Sequence, residues 1–291
     1  MTGEIIHKIS LAAEPIFEIG FFPVTNSLLT SWATVLILVV VTFLIHRSLK
    51  QIPKGIQNVF EIITEGALNL CDQVTNDRKI TLKVFPLVFT IFFFVLINNW
   101  LGILPGVGSI GMLENHDGHS IFIPFIRSGT ADLNTTLALG LMAVIGANVF
   151  GIFSVGLWKT FNKFINIKIL AQIFTKIRKD PKILIIAPVT FFVGILEMIG
   201  ELAKIASLSF RLFGNVFAGE VLLASMSAIL AFLLPIPFIF MEIFIGIIQA
   251  LIFAMLTLVY FTIASQNHEH DEEYVEQGSQ TKLVDKGIVV S

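Results

Sequence analysis

The sequence predicts an all-α integral membrane protein. Of its 291 residues, 55% are hydrophobic and only 14% are charged, a balance that water-soluble globular chains rarely have. A transmembrane helix needs about 20 mostly apolar residues, and residues 28–46, 84–104 and 133–158 provide them. A further region, 183–265, stays apolar apart from a few isolated charges. These observations predict a membrane domain over residues 28–265.

Basic residues predict the orientation of the spans, because cytoplasmic loops carry an excess of Lys and Arg. Residues 47–83 hold six such side chains and residues 159–182 hold seven, whereas residues 105–132 hold only Arg127. We therefore expect the first two segments on the cytoplasmic side. Residues 105–132 and the N-terminal segment 1–27 are expected on the outer side.

Two segments outside the spans have a recognisable composition. Between residues 56 and 70, Ile, Val, Phe and Leu recur at near-helical spacing among Gln, Asn and Glu, which predicts an amphipathic helix at the inner interface. The tail, residues 266–291, begins with a cluster of acidic side chains and carries mixed charge. We expect it to be disordered and cytoplasmic.

Proline divides the last apolar region. Pro235 and Pro237 each lack a backbone donor and disturb the preceding turn, so we expect one helix over residues 183–233 and another over residues 236–265. At 1.5 Å per residue, a helix of about 30 residues is about 45 Å long and exceeds a hydrocarbon core of about 30 Å. About five membrane-embedded helices are thus predicted, the last two strongly tilted.

Six charged residues interrupt this last region, and each needs a reason, because a charge at the centre of a span costs on the order of 3 kcal/mol. They are Glu197, Glu201, Lys204, Arg211, Glu220 and Glu242. Such side chains usually face a bundle interior, an aqueous cavity or a partner. The charges are therefore the candidate functional residues.

A helical projection at about 100° per residue places Arg211 between two surfaces. One flank is polar and contains Glu197, Glu201, Lys204 and Asn215. The other flank carries small residues that let another helix approach closely, namely Gly200, Ala203, Ser207, Gly214 and Ala218. Glu220 lies about 180° from Arg211. Glu242 and Gln249 share a face of the last helix, and this face could meet Glu220 in an antiparallel hairpin.

This pattern is what a proton path in two parts requires, with carboxylates and amides along two routes and a permanent cation between them. Arginine suits the separating position because it stays protonated at any relevant pH. Other interpretations stay open for some residues. Glu201 and Lys204 could equally form an ordinary intramembrane ion pair, and Asp132 could equally be only a helix N-cap. Glu220 and Glu242 have no basic neighbour in the sequence, which favours a conducting role.

Residues 207–223, SLSFRLFGNVFAGEVLL, closely resemble the signature of subunit a of F-type ATP synthases. The family pattern is an arginine, then Leu-Phe-Gly-Asn, then Ala-Gly-Glu, which here are Arg211, residues 212–215 and residues 218–220. Further resemblance lies at residues 98–105 (NNWLGILP), 130–139 (TADLNTTLAL) and 247–265 (IIQALIFAMLTLVYFTIAS). The resemblance covers essentially residues 25–265.

The resemblance implies a proton-channel subunit with two half-channels, in which Arg211 faces a rotating ring of c subunits and separates the routes. One half-channel would be lined by Glu220, Asn215, Glu242 and Gln249. Glu197 would line the half-channel open to the cytoplasm, and Asp132 would lie near the outer route. Glu242 stands where other members have histidine, a departure that leaves transport in place and puts the pH response in question.

The same resemblance implies the partners and the setting. The partners would be the c-subunit ring, b-type peripheral stalk subunits and the rest of the ATP synthase, within a lipid bilayer. The chain itself would be non-catalytic, because it shows no clustered metal ligands, nucleophile motif or phosphate loop, and no cofactor or metal is expected. A net charge of −2 gives no electrostatic footing for nucleic acid. Without a targeting segment, a bacterial plasma membrane is favoured over an organelle's inner membrane.

Two alternatives remain at this point. The first is a Na⁺-coupled version of the same subunit, because the ring carboxylate that selects the ion lies on another chain. The second is an unrelated secondary transporter, in which broken helices bind a substrate at the midplane. Such a transporter should show an internal repeat, and we find none in the sequence.

Overall fold

The computed structural model describes residues 13–20, 22–52, 55–104, 106, 110–116, 119–156, 183–230 and 233–266. Three sequence predictions fall on other parts of the chain. Residues 1–12 of the outer segment, the basic segment around residues 159–182 and the tail beyond residue 266 all lie outside the described residues.

Helices dominate the described residues. They are α1 (Asn26–Ser48), α2 (Ile56–Thr75), α3 (Arg78–Ile103), α4 (Leu133–Val155), α5 (Ile183–Ile229) and α6 (Pro235–Gln266). All of them except α2 are long and apolar enough to cross a membrane, which makes five candidate spans in the described chain. This confirms the predicted class, an all-α membrane protein, while the tilt of α5 and α6 against a ring stays a prediction.

Two short β-hairpins lie outside the spans, and the sequence analysis did not anticipate them. Strand β1 (Pro15–Ile19) pairs with β2 (Phe22–Thr25), and β3 (Gly111–His116) pairs with β4 (His119–Pro124), both antiparallel. In the first hairpin the turn contains Gly20 with a φ of 65°, a left-handed conformation that glycine adopts without steric cost.

Local side-chain chemistry fixes several helix ends. The Thr25 hydroxyl accepts a hydrogen bond from the Leu28 N–H at 3.3 Å and caps α1, and the Asp77 carboxylate accepts one from the Lys79 N–H at 2.8 Å and caps α3. Between these helices, α2 is followed by its C-cap residue Asn76, which has a φ of 53°. Pro235 is the first residue of α6, where its missing N–H costs nothing.

The described chain forms two compact units, which we treat separately. The first contains residues 13–143 and 203–258 and holds the apolar side chains of Val95, Leu212 and Phe253 at 0% exposure. It also buries an unusual number of polar residues where α1 begins and α3 ends. These include Asn26, Ser27, Thr30, Asn98, Asn99, Ser128 and Thr130.

The second unit contains residues 144–156, 183–202 and 259–266. Here α4 packs against α6, and the rings of Phe150 and Phe261 lie 5.5 Å apart between centroids. Gly151 makes this approach possible, because a Cβ at that position would lie 3.0 Å from the carbonyl oxygen of Ala264. The helices therefore meet through a small residue, as is common in membranes.

Candidate functional site

Arg211 lies on the exposed face of α5. Its Nη2 donates a hydrogen bond to the Ser207 hydroxyl, one turn earlier, at 3.3 Å. A neighbouring face anchors the helix, since Leu208 and Leu212 are 2% and 0% exposed. Around the arginine the surface is open, because a Cβ placed on Gly214 would meet no described atom within 4 Å. The arginine thus faces outward from the described chain, beside the predicted flank of small residues.

Asn215 connects α5 to α6 through an amide pair. Its Nδ2 donates to the Oε1 of Gln249 at 2.7 Å, across 34 residues of sequence. Gln249 is 2% exposed whereas Asn215 is exposed, so this hydrogen bond is shielded on the α6 side only. The sequence projection placed Asn215 on the stripe with Glu197 and Glu201, and the structure turns its amide toward α6.

Glu242 of α6 lies beside Glu220 of α5. Along α5, Glu220 is about one turn beyond Asn215. The Glu242 carboxylate rests against the backbone of Gly219, where a Cβ would overlap both of its oxygens. Residue 215 meets residue 249 and residue 219 meets residue 242, so the two helices run antiparallel. This is the arrangement that the proline break and the shared face of Glu242 and Gln249 led us to expect.

Arg127 is the partner that the sequence analysis missed. Its Nε and Nη2 each lie 3.0 Å from the Oε2 of Glu220, and the side chains are only 10% and 22% exposed. We had placed Arg127 in an outer loop as a topological marker. The sequence holds one sign that Arg127 has a partner within the protein. It is the lone basic residue between two spans and lies five positions before Asp132.

Buried hydrogen bonds hold the loop that carries Arg127. The Arg127 N–H donates to the Thr30 hydroxyl of α1 at 3.3 Å. Next to it, the Ser128 hydroxyl donates to the Asn98 carbonyl of α3 at 3.1 Å. The side chain of Arg127 is therefore presented to Glu220 from a fixed backbone.

Asp132 caps α4. Its Oδ1 accepts a hydrogen bond from the Asn134 N–H at 3.0 Å, and the residue is 6% exposed. The structure thus shows the capping geometry that we had weighed against a conducting role. A cap uses one carboxylate oxygen, so the two roles are compatible.

Glu197 and Glu201 belong to the second compact unit. Glu197 is half-buried on α5. The Oε2 of Glu201 accepts a hydrogen bond from the Nδ2 of Asn148 on α4 at 3.2 Å. Asn148 is a second polar neighbour that the sequence analysis did not single out, because a lone amide in an apolar span has no pattern of its own.

Fold and site together define a class of protein: a multi-pass α-helical membrane protein whose spans carry an outward-facing arginine, the buried carboxylate of Glu242 and further half-buried carboxylates. Residues 28–262 match the model of the family described as ATP synthase A chain. The chain therefore belongs to the ATP synthase A chain family, and the resemblance seen in residues 207–223 is confirmed.

Similar proteins occur in bacteria and in a chloroplast. ATP synthase subunit a of Moorella thermoacetica is 31% identical over 255 residues, covering 88% of this chain and 96% of the relative. ATP synthase subunit a 1 of Pelobacter propionicus is 33% identical over 232 residues, covering 79% of this chain and 83% of the relative. Chloroplastic ATP synthase subunit a of Stigeoclonium helveticum is 30% identical over 265 residues, covering 90% and 94%.

Proposed function

We propose that this chain is the proton-channel subunit of an F-type ATP synthase. Protons pass through two half-channels to and from carboxylates on a rotating ring of c subunits, and Arg211 separates the half-channels. Phosphate chemistry belongs to partner subunits, so the chain is not itself a catalyst. The observation that carries the proposal is the exposed guanidinium of Arg211 on a membrane-spanning helix.

An exposed cation in a span needs an anionic partner, because its cost in hydrocarbon is on the order of 3 kcal/mol even on lenient scales. Beside Arg211, the exposed positions Ser207, Gly214 and Ala218 are all small. Small residues allow a partner helix to approach closely, so a carboxylate on such a helix could reach the guanidinium. Membership of the ATP synthase family identifies that partner, in this proposal, as the c-ring.

The outer half-channel, in this proposal, runs through the polar side chains between α5 and α6. Glu242 lies against Gly219, the residue before Glu220, and the hydrogen-bonded amides of Asn215 and Gln249 continue the polar route toward the level of Arg211. Asp132 lies near the outer entrance. Glu197 lines the half-channel that opens to the cytoplasm.

The remaining partners are b-type peripheral stalk subunits and the rest of the complex. A bacterial plasma membrane is the proposed location, supported by relatives from bacteria such as Syntrophobacter fumaroxidans and Campylobacter concisus. The chloroplast relative keeps an organelle membrane as the alternative. Protons are the proposed ion, and the experiment below separates them from Na⁺.

The test replaces Arg211 in the complete ATP synthase in inverted membrane vesicles. Arg211→Ala should reduce ATP-driven acidification to background while passive proton flux rises, because the separator is lost and both routes remain. Arg211→Lys should also lose coupled transport. An ammonium is a compact, strongly hydrated charge, and a lysine side chain loses its proton more readily than arginine when it is buried, because its pKa falls. Both fluxes are recorded in the same vesicles, with exposed Lys79→Ala as the control.

Near wild-type pumping by Arg211→Ala would make the proposed mechanism wrong. If ATP-driven transport by the unmodified complex required sodium and did not acidify the vesicles, the Na⁺-coupled version would be favoured. A complex that transports a solute without its other ATP synthase subunits would favour the secondary transporter.

A further inference from the structure

We propose that Arg127 is a positioning residue of the outer half-channel. It holds Glu220 as a permanent ion pair, which leaves Glu242 as the carboxylate that takes up and releases the transported proton. This inference rests on the proposed function, since it assumes that protons pass between α5 and α6. It adds a second arginine with a role distinct from that of Arg211.

The contact between Arg127 and Glu220 has the geometry of a persistent ion pair. Two nitrogens of one planar guanidinium converge on a single carboxylate oxygen at 3.0 Å each. The Nε donates the hydrogen bond and Nη2 adds a close ionic contact, and the charge of arginine is not lost at relevant pH. With side chains only 10% and 22% exposed, breaking the pair would leave two poorly solvated charges.

Hydrogen bonds to α1 and α3 hold the backbone around Arg127. Besides the bonds from Arg127 to Thr30 and from Ser128 to Asn98, the Thr130 hydroxyl donates to the Asn99 Oδ1 at 2.6 Å. Asn99 in turn donates from its Nδ2 to the Gly246 carbonyl of α6 at 3.4 Å. Helices α1 and α3 therefore hold this loop directly, and α6 is hydrogen-bonded to Asn99, the α3 residue that accepts from Thr130.

Close packing excludes other positions of the loop. A Cβ on Gly102 of α3 would lie 3.0 Å from the Ser128 Cα and 3.1 Å from its backbone nitrogen. The loop thus touches the α3 backbone directly. Arg127 is built into the site and does not reach it from a mobile outer segment.

Counting charges assigns the transported proton. The described groups that face Glu220 are Arg127 from the loop and Glu242 from α6, so the site holds one cation and two carboxyl groups. It is neutral when a single carboxyl is protonated, and the charge of Arg127 favours the ionised form of the carboxyl it contacts, Glu220. In this proposal the O–H bond forms on Glu242 as a proton enters and breaks as the proton moves on toward the ring. Glu220 stays paired throughout.

Loss of Arg127 should change this balance in a measurable way. Two carboxylates without a cation cannot easily both be ionised, so the site should hold one more proton and release it only at higher pH. Arg127→Gln should therefore move the pH profile of ATP-driven pumping toward alkaline pH by about one unit, at the low end of the range for a carboxylate that gains or loses an arginine neighbour. At neutral pH its pumping rate should fall well below that of the wild type.

The double variant Arg127→Gln/Glu220→Gln provides the discriminating measurement. It has no unpaired carboxylate beside Glu242, so its pH profile should return toward that of the wild type. All variants are studied in the complete complex in inverted vesicles, with subunit co-purification and ATP hydrolysis recorded as measures of assembly. Lys79→Gln, which removes an exposed cation elsewhere, is the matched control and should leave rate and profile unchanged.

Several outcomes would overturn the inference. One is a wild-type rate and profile in Arg127→Gln, and another is a double variant whose profile stays as shifted as that of Arg127→Gln. If Arg127→Gln does not assemble, the double variant is compared directly with the wild type, and an assembled double variant that does not pump excludes Glu242 as the sole carrier. Normal pumping by Arg211→Ala would instead defeat the proposed function itself, whatever the Arg127 variants do.

Discussion

Glu242 and Gly219 show how closely single residues are fitted at this site. Glu242 is 6% exposed, and its carboxylate occupies the space where any other residue at 219 would place a Cβ. A buried carboxylate is costly unless it is paired, hydrogen-bonded or protonated. Its place beside the Arg127–Glu220 ion pair therefore supports the proposed role in proton transfer, because packing alone would favour an apolar side chain.

Glu242→His tests whether residue 242 carries protons. We expect the variant to retain some ATP-driven pumping, because imidazole can also bind and release a proton. Its pH profile should differ from that of the wild type, since histidine is positive when protonated whereas glutamate is neutral. Glu242→Gln, which cannot titrate, is the control and should lose pumping. Full activity with an unchanged pH profile in Glu242→His would show that residue 242 is structural.

Residue spacing predicted part of this site, and there is a physical reason why it did not predict the rest. Within a continuous helix, the 100° increment correctly separates Glu220 from Arg211, and the proline break correctly directs α6 back along α5. The Arg127–Glu220 pair joins residues 93 positions apart. Such a contact depends on the path of a loop and on the hydrogen bonds that hold it, and no periodicity in the sequence reports either.

At the scale of elements, close packing joins α3 to the loop that carries Arg127. Gly102 lets the backbone at Ser128 lie directly on α3, and Gly129 lies against the side chains of Asn98 and Ser31. These are positions where a methyl group has no room. The sequence shows the glycines and the polar residues but gives no reason to connect them. The hairpins were missed for a related reason, because strands of four to six residues in polar loops carry too few positions to show a period of two.

Gly102→Ala tests the importance of this junction. The added methyl would meet backbone atoms of Ser128, which cannot rotate away, so we expect a destabilisation of about 1–3 kcal/mol, as for other overpacked sites. The measurement is the thermal midpoint of the purified complex together with its pumping rate. Gly66→Ala on α2 is the matched control, since a Cβ there meets nothing within 4 Å. Equal midpoints for the two variants would contradict the proposed constraint.

At the scale of the whole molecule, surface composition agrees with a membrane as solvent. Large apolar side chains of α1, such as Leu36 and Val39, are 65% and 59% exposed in the described chain. A soluble protein would not leave a helix so uncovered, whereas lipid or a neighbouring subunit covers it without cost. Hydropathy therefore predicted the fold class. Tilt and docking depend on subunits with sequences of their own, and this chain alone does not specify them.

The orientation in the membrane is a prediction for the whole chain and follows from its two basic segments. Single cysteines replacing Asn115 in β3 and Gln277 in the tail should react with a membrane-impermeant maleimide from opposite sides, position 115 in intact cells and position 277 in inverted vesicles.

The background is Cys71→Ala, because Cys71 is the only cysteine of the chain. That thiol is a weak competitor in any case, since burial, helped by the neighbouring Asp72 carboxylate, raises its pKa and keeps the reactive thiolate scarce below that pKa. Gln73→Cys, exposed on α2, is the control and should react from the same side as position 277. Three helices, α4, α5 and α6, lie between the two positions, so opposite sides require an odd number of crossings. Reaction of positions 115 and 277 from one side would mean an even number of crossings between them, and the proposed placement of both half-channels would have to be abandoned.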